Sequence, residues 1–380
     1  MRWFVARSGR HNPAPMTDAT PELTATGKQH FEVLDGLRGS AALLVVLFHI
    51  QGITVDFEQG RLLLPHAYLA VDFFFALSGF VIGYAYDDRW GRMTVLQFFR
   101  IRLIRLHPLV VLGTVLGMLS YLFDPFAAGK QDATFFMLAQ ALLLGLLLLP
   151  AKPLPNRWED THTLNGPAWT LLQEYLGNIA YALILRRLGA KTLLIVALVG
   201  AAGLFACGAS LNTLDRGWGW SNIGLGTPRL WFPFVIGLWL YRARASLPAL
   251  RLGWLPLSII LIVAFCVPSI PRAGGINWNG IYEATCVVVL FPVVVLAGAH
   301  SDAGLGTINL CKFSGRISYP IYITHFPFMY VWMNYMASGQ ATANTKIAFA
   351  VALVPATTAI AWLAFRFWDV PIRGWLRKRI

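Results

Sequence analysis

Charge is scarce in this chain of 380 residues. Only 13% of its residues are Asp, Glu, Lys or Arg, about half the share found in ordinary soluble domains. That excludes a water-soluble fold as the default. A hydrophobic content of 57% and a mean hydropathy of +0.58 also exclude intrinsic disorder, which needs a chain poor in apolar residues. Acidic residues are scarcest: 18 Asp and Glu stand against 31 Lys and Arg, a formal charge of +13. Cytoplasmic loops of membrane proteins collect Lys and Arg, and that accounts for most of the excess without a nucleic-acid partner. Cysteine is limited to Cys207, Cys266, Cys286 and Cys311. Their spacing suits neither a disulfide framework nor a metal site, so no metal is expected.

Two other absences shape the reading. The first 30 residues hold no apolar core of the roughly 7 to 15 residues that a signal peptide needs. With Arg2, Arg7, Arg10 and Lys28 among Pro, Thr, Ser and Gly, residues 1–30 read as a basic, flexible tail that stays in the cytoplasm. No run of alternating apolar and polar residues punctuated by turns is present, which excludes a membrane barrel. No internal repeat of the kind that marks many transporters is evident. The pair Gly113 and Gly117 has the spacing that lets two membrane helices approach closely.

What is present is a series of eleven apolar segments: 40–56, 66–86, 104–123, 133–151, 168–185, 192–211, 229–241, 253–268, 281–299, 317–336 and 346–367. They predict an all-α fold, a polytopic transmembrane helix bundle over residues 31–376 with a cytoplasmic end at 377–380. Basic residues set the orientation. The tail with Arg38, the stretch carrying Arg89, Arg92, Arg100, Arg102 and Arg105, the pair Arg186 and Arg187, the loop from Arg242 to Arg251, Lys312 with Arg316, and the tail from Arg373 all read as cytoplasmic. These assignments disagree by one crossing between about 106 and 168. One segment there, 104–123 or 133–151, is therefore expected to be re-entrant or to fall short. The expectation is ten full crossings with both termini cytoplasmic, or eleven if one loop charge is misread.

Polar residues at membrane depth are the informative ones, because burying them is costly unless they are paired or line a wet cavity. Arg38 and His49 lie eleven residues apart, about 16 Å along a helix and close to three full turns, so they share a face. A neutral imidazole at that depth can take a proton from a hydroxyl; the plain alternative is a structural His. In LAVDFFFALSGFVIGYAY, Asp72 is expected to pair with a buried cation or cap a helix, and Ser78 with Gly79 to permit a kink or close contact. Ser78 lacks the elbow motif of a nucleophile. Arg102 and Arg105, at i and i+3, place two guanidinium groups side by side, suited to phosphate or, more plainly, to lipid headgroups. Glu174 lies about two turns into the helix that opens NGPAWTLLQEY, and a carboxylate there needs a partner. Tyr319, Tyr322 and His325, spaced by three, form a polar stripe about 12 Å deep at its far end.

These motifs, in this order, resemble the acyltransferase 3 family of integral membrane O-acyltransferases. The resemblance rests on Arg38 and His49 with ten residues between them, DFFFALSGF, Arg102-x-x-Arg105, the run from Trp169 to Glu174, and ISYPIYITH. It covers residues 31–376. Where the family often has Glu-x-Pro near its last helix, this chain has Asp369, Val370 and Pro371. The resemblance implies transfer of an acyl group, commonly acetyl, from cytoplasmic acyl-coenzyme A to a hydroxyl of a carbohydrate, glycolipid or other surface or secreted acceptor. It matches Arg38 and His49 to the family's essential first-helix pair, Arg102 and Arg105 to its double-Arg motif, and Glu174 to its motif carboxylate.

The mechanism expected from both readings puts His49, Glu174 and His325 in catalysis and Arg38, Arg102 and Arg105 on acyl-coenzyme A, the donor substrate. Asp72, Ser78, Trp169, Tyr319 and Tyr322 are supporting residues, and no permanently bound cofactor is expected. The setting is the bacterial cytoplasmic (inner) membrane. The competing class is a proton-coupled transporter or flippase, which also uses buried His and Glu; the cytoplasmic Arg pair and the lack of a repeat weigh against it.

Overall fold

The computed structural model describes residues 30–379. The tail assigned to residues 1–30 lies outside them apart from His30, as does Ile380. Among the described residues there is no strand, only two isolated bridges. Fourteen α-helices follow in order: α1 (Glu32–Thr54), α2 (Ala70–Tyr86), α3 (Val95–Phe123), α4 (Phe135–Leu146), α5 (Ala168–Leu183), α6 (Ala190–Leu211), α7 (Gly226–Ala243), α8 (Trp254–Cys266), α9 (Trp278–Thr285), α10 (Phe291–His300), α11 (Ile308–Thr324), α12 (Phe326–Ala337), α13 (Ala343–Leu363) and α14 (Val370–Arg377). Turns of π-helix, Cys286–Leu290 and Ala364–Asp369, carry α9 into α10 and α13 into α14.

Each of the eleven apolar segments has become helix, but not all to spanning length. Seven stretches are long and apolar enough to cross a bilayer: Glu32–Thr54, Ala67–Tyr86, Val95–Phe123, Ala190–Leu211, Trp220–Ser246, Trp278–His300 and Ala343–Arg377. The expected ten crossings therefore exceed the helices that qualify by length. The remaining segments are shorter for local reasons. α11 and α12 are separated at His325, two residues before Pro327, and α4, α5 and α8 have 12, 16 and 13 residues. At 1.5 Å per residue α4 is about 18 Å long, against a hydrocarbon core of roughly 30 Å. Beyond it Leu148 adopts a left-handed backbone (φ 56°), and no helix forms until Ala168.

Several hydroxyl groups inside the helices are satisfied locally. Ser40, Thr54, Thr324 and Thr357 donate to carbonyls four residues back, as hydroxyls do where no water is available. At the entry to α3, Thr94 accepts from the Gln97 amide while Gln97 Oε1 accepts from the Thr94 amide, a capping box. Close helix approach depends on missing side chains. A Cβ on Gly79 would lie 1.9 Å from the Phe234 carbonyl oxygen, and one on Gly237 2.0 Å from that of Ala76, so α2 and α7 touch backbone to backbone. Gly113 and Gly117 admit two kinds of partner. A Cβ on Gly113 would meet the Asn165 side chain and Ile323 of α11 (2.7 Å to its side chain, 3.1 Å to its carbonyl oxygen), and one on Gly117 the Leu164 carbonyl, so α3 packs closely against both a helix and the extended chain before α5.

Candidate active site

His49 and His325 meet. α1 brings His49 to the far end from Arg38, and α11 ends at His325. The His325 Nε2 and His49 Nδ1 atoms are 3.2 Å apart, and His325 Nδ1 is 3.0 Å from the Ile321 carbonyl oxygen. A carbonyl can only accept, so in the neutral ring His325 carries its proton on Nδ1 and presents a lone pair at Nε2. His49 must then donate from Nδ1, which leaves its own Nε2 unprotonated. This arrangement makes His49 Nε2 a proton acceptor, with His325 fixing its tautomer. His325 is fully buried and His49 half-buried.

Arg38 faces the same neighbour, as its eleven-residue offset from His49 predicts. Its guanidinium donates to Ser318 Oγ (2.9 Å), the Gly315 carbonyl (2.7 Å) and Asp35 Oδ1 (2.9 Å). Sequence reasoning missed Ser318, a residue whose type carries no signal until α11 lies beside α1.

Glu174 is not at the imidazoles. Its Oε1 accepts from Arg102 Nη2 at 2.5 Å and from Ser78 Oγ at 2.6 Å, tying α5 to α3 and α2. Arg102 is accordingly buried, with 5% of its side chain exposed, whereas the half-buried Arg105 lies within electrostatic reach of Arg38, Arg102 and Arg373. The structure thus brings the three sequence-selected arginines to one end of the bundle, adds Arg373, and gives Arg102 a carboxylate of its own.

The polar stripe on α11 reaches three neighbours. Tyr319 donates to the Leu106 carbonyl of α3 (2.7 Å), Tyr322 shares a hydrogen bond with Thr170 of α5 (3.0 Å), and His325 reaches α1. Asp72 has the cation expected of it: Arg229 of α7 donates to its two oxygens at 2.6 and 3.2 Å. The Arg229 guanidinium also lies over the Trp169 ring, 5.4 Å from its centroid. Nothing in the sequence singled out Arg229, because a lone Arg in an apolar segment does not announce which carboxylate it serves.

A second group that sequence reasoning passed over lies beyond the imidazoles, where residues 147–167 form a non-helical segment. Main-chain bonds from Thr161 N to Trp218 O (3.0 Å) and from Trp220 N to Glu159 O (2.6 Å), around a bridge between Asp160 and Gly219, clamp it to residues 218–220. Tyr330 of α12 donates to Asp160 Oδ2 at 2.6 Å. Burial pushes the Asp160 carboxyl up to about 6, opposed by Tyr330 and by Arg157. Arg157 lies between two aromatic rings, 4.0 Å above Tyr330 and 4.7 Å from Tyr121.

An apolar helix bundle that buries an oriented imidazole pair at one level and gathers arginines at another has the parts of a membrane enzyme that transfers a group between two substrates. Residues 31–366 match the acyltransferase domain model of the acyltransferase 3 family; the chain belongs to that family and is an integral membrane acyltransferase. Among curated proteins it is 37% identical over 197 residues to protein 2 in the picA locus of Rhizobium radiobacter, covering 48% of this chain and 96% of that protein. It is also 25% identical over 389 aligned positions to the peptidoglycan O-acetyltransferase OatA of Listeria monocytogenes, covering 92% of this chain but only 57% of that protein. No solved structure matches the chain.

Proposed function

We propose that the chain transfers an acyl group, acetyl being the expected one, from acyl-coenzyme A to a hydroxyl of a carbohydrate-type acceptor, within the bundle. The observation that carries this reading is the chain of bonds from the Ile321 carbonyl through His325 to His49, which leaves one imidazole nitrogen free to accept a proton. Family membership supplies the reaction class.

In this mechanism His49 Nε2 takes the acceptor's hydroxyl proton as the oxygen attacks the thioester carbonyl. A C–O bond forms, the C–S bond breaks, and the departing coenzyme A thiolate takes the proton back. An alcohol and a thioester thus become an ester and a thiol. General-base help of this kind contributes about 100 to 10,000-fold. Arg105, with Arg38 and Arg373, faces the donor's phosphates; guanidinium groups suit them geometrically. The arginine end is the cytoplasmic side and the bundle has ten crossings in the bacterial inner membrane, with α4 the helix that stops short.

The test is direct. Purified protein is incubated with acetyl-coenzyme A and an oligosaccharide, while free thiol and ester-bound acetyl on the sugar are both measured. Equal amounts of the two support the reading. A protein that releases no thiol under any acceptor condition refutes it.

A further inference from the structure

The rings around His49 do not end at the imidazoles. His49 touches Phe326 edge to face at 5.0 Å, Phe326 lies 6.3 Å from Trp158, and Trp158 meets Phe57 edge to face at 5.7 Å. Phe57 closes the circle on Phe48, again at 5.7 Å. Four rings therefore run from the base to the level of the connecting loops, on the opposite side of His49 from the arginines.

Three features separate this group from ordinary core packing. Phe57 and Trp158 sit on connections rather than helices, and each is only half-buried, so each keeps an open side. Phe57 is held in a conformation that bulky residues rarely adopt, because Asp56 and Phe57 both have φ of 52°. Strain of this kind costs about 1–3 kcal/mol per residue and gathers at binding sites. The Phe57 amide donates to the Gly52 carbonyl at 2.7 Å, and its ring covers Gly52, one helical turn beyond His49. Finally, the wall is braced from behind: Trp158 lies 6.4 Å from the Tyr330 ring, on which Arg157 stacks and from which Asp160 accepts. Aromatic anchors for lipid headgroups point out of a bundle; Phe57 and Trp158 instead pack on Phe48 and Phe326, the rings that touch the base.

We propose that Phe57 and Trp158, backed by the buried Phe326, form the acceptor subsite, an aromatic wall that stacks an uncharged pyranose ring and delivers one of its hydroxyls to His49 Nε2. A pyranose has a face of C–H bonds that needs an apolar, flat partner and a rim of hydroxyls that needs water or donors. A half-open aromatic wall beside a proton acceptor offers the first and leaves the second exposed. The proposal rests on the carbohydrate reading given above and adds the residues that select the acceptor.

The experiment uses the full chain in detergent, acetyl-coenzyme A, and a panel of uncharged hexose and N-acetylhexosamine oligosaccharides, reading ester formation by mass spectrometry. Trp158→Ala and Phe57→Ala should each raise the KM for the sugar about tenfold, equivalent to about 1.4 kcal/mol, and should do so more than they lower kcat. Trp158→Phe should return the KM to within about threefold of the parent. Trp158→Leu, which keeps bulk without the ring, should behave as Ala does, and it replaces the Ala variant should that fail to fold. If the parent esterifies sugars and these variants do so at unchanged KM, the subsite is wrong while the carbohydrate reading stands. A parent that releases thiol but esterifies none of the panel removes the carbohydrate reading, and this subsite with it.

Discussion

His325 Nε2 stands 3.2 Å from His49 Nδ1 while its own Nδ1 faces the Ile321 carbonyl. One ring thus sets the tautomer of the other, so their removal should have different consequences. His49→Ala should lower kcat by about 100 to 10,000-fold, the range of general-base catalysis. His325→Ala leaves the base but not its orientation, and should cost about 100-fold, with a changed pH profile of kcat that His49→Ala cannot show. Steady-state thiol release across pH measures both. A His49→Ala enzyme with more than a tenth of the parent rate would remove His49 as the base.

Arg102 and Arg105, neighbours on α3, should separate in experiment. Arg102 and Glu174 form a buried pair at 2.5 Å, and removing one partner of such a pair costs about 3–5 kcal/mol. Arg102→Ala and Glu174→Ala should each lower the unfolding midpoint, and the double variant should lose less than the two together. Arg105→Ala should instead raise the KM for acetyl-coenzyme A with little change in midpoint. An additive Arg102–Glu174 cycle would mean that the pair does not couple.

Gly79→Ala and Gly237→Ala force α2 and α7 apart, since the added carbons would stand 1.9 and 2.0 Å from carbonyl oxygens. Overpacking typically costs about 1–3 kcal/mol, and backbone contacts cannot yield as side chains do. Both variants should unfold at lower temperature in detergent, whereas Gly203→Ala, whose surroundings are open, should match the parent.

The Asp160 carboxyl, outside the spanning helices, is pushed up to about 6 by burial, against about 3.9 for an unfolded Asp. Between these values the folded chain holds a proton that the unfolded chain has lost. Stability from this group is therefore greatest below about pH 4 and falls as pH rises to about 6. Asp160→Asn keeps an oxygen for Tyr330 and cannot ionise. Its unfolding midpoint should drop less than the parent's between pH 4.5 and 7; an equal or larger drop would contradict the assignment.

The sequence revealed helix positions more readily than helix relationships. All eleven apolar segments are helical because apolar runs in lipid have few other ways to satisfy their backbones. The face shared by Arg38 and His49 was legible from spacing alone, and both do face α11. Partners were not legible. Glu174 could serve an imidazole or an arginine until α5 was placed against α3, and Asp72 needed a cation that only the approach of α2 to α7 identifies as Arg229. Gly113 and Gly117 signalled close approach correctly, and Gly113 does meet a helix, α11, but a spacing rule does not say that an extended segment also fills part of the space. The wall of Phe57 and Trp158 escaped notice for the same reason: single aromatic residues in loops gain meaning from where the loops are held.

The clamp between residues 159–161 and 218–220 combines main-chain bonds, which every residue except proline can supply, with a bond from the Thr161 hydroxyl to the Trp218 carbonyl. The segment that carries Trp158 is therefore held through its backbone and through the side chains of Glu159, Asp160 and Thr161. Substitutions at the exposed Lys152 can alter this segment without loosening the clamp or disturbing the imidazole pair in the helices, whereas Asn156, at φ 55°, is held by its backbone conformation. On the proposed reading, such a scaffold separates what is modified from how it is modified, with the choice of acceptor resting on one short stretch of chain.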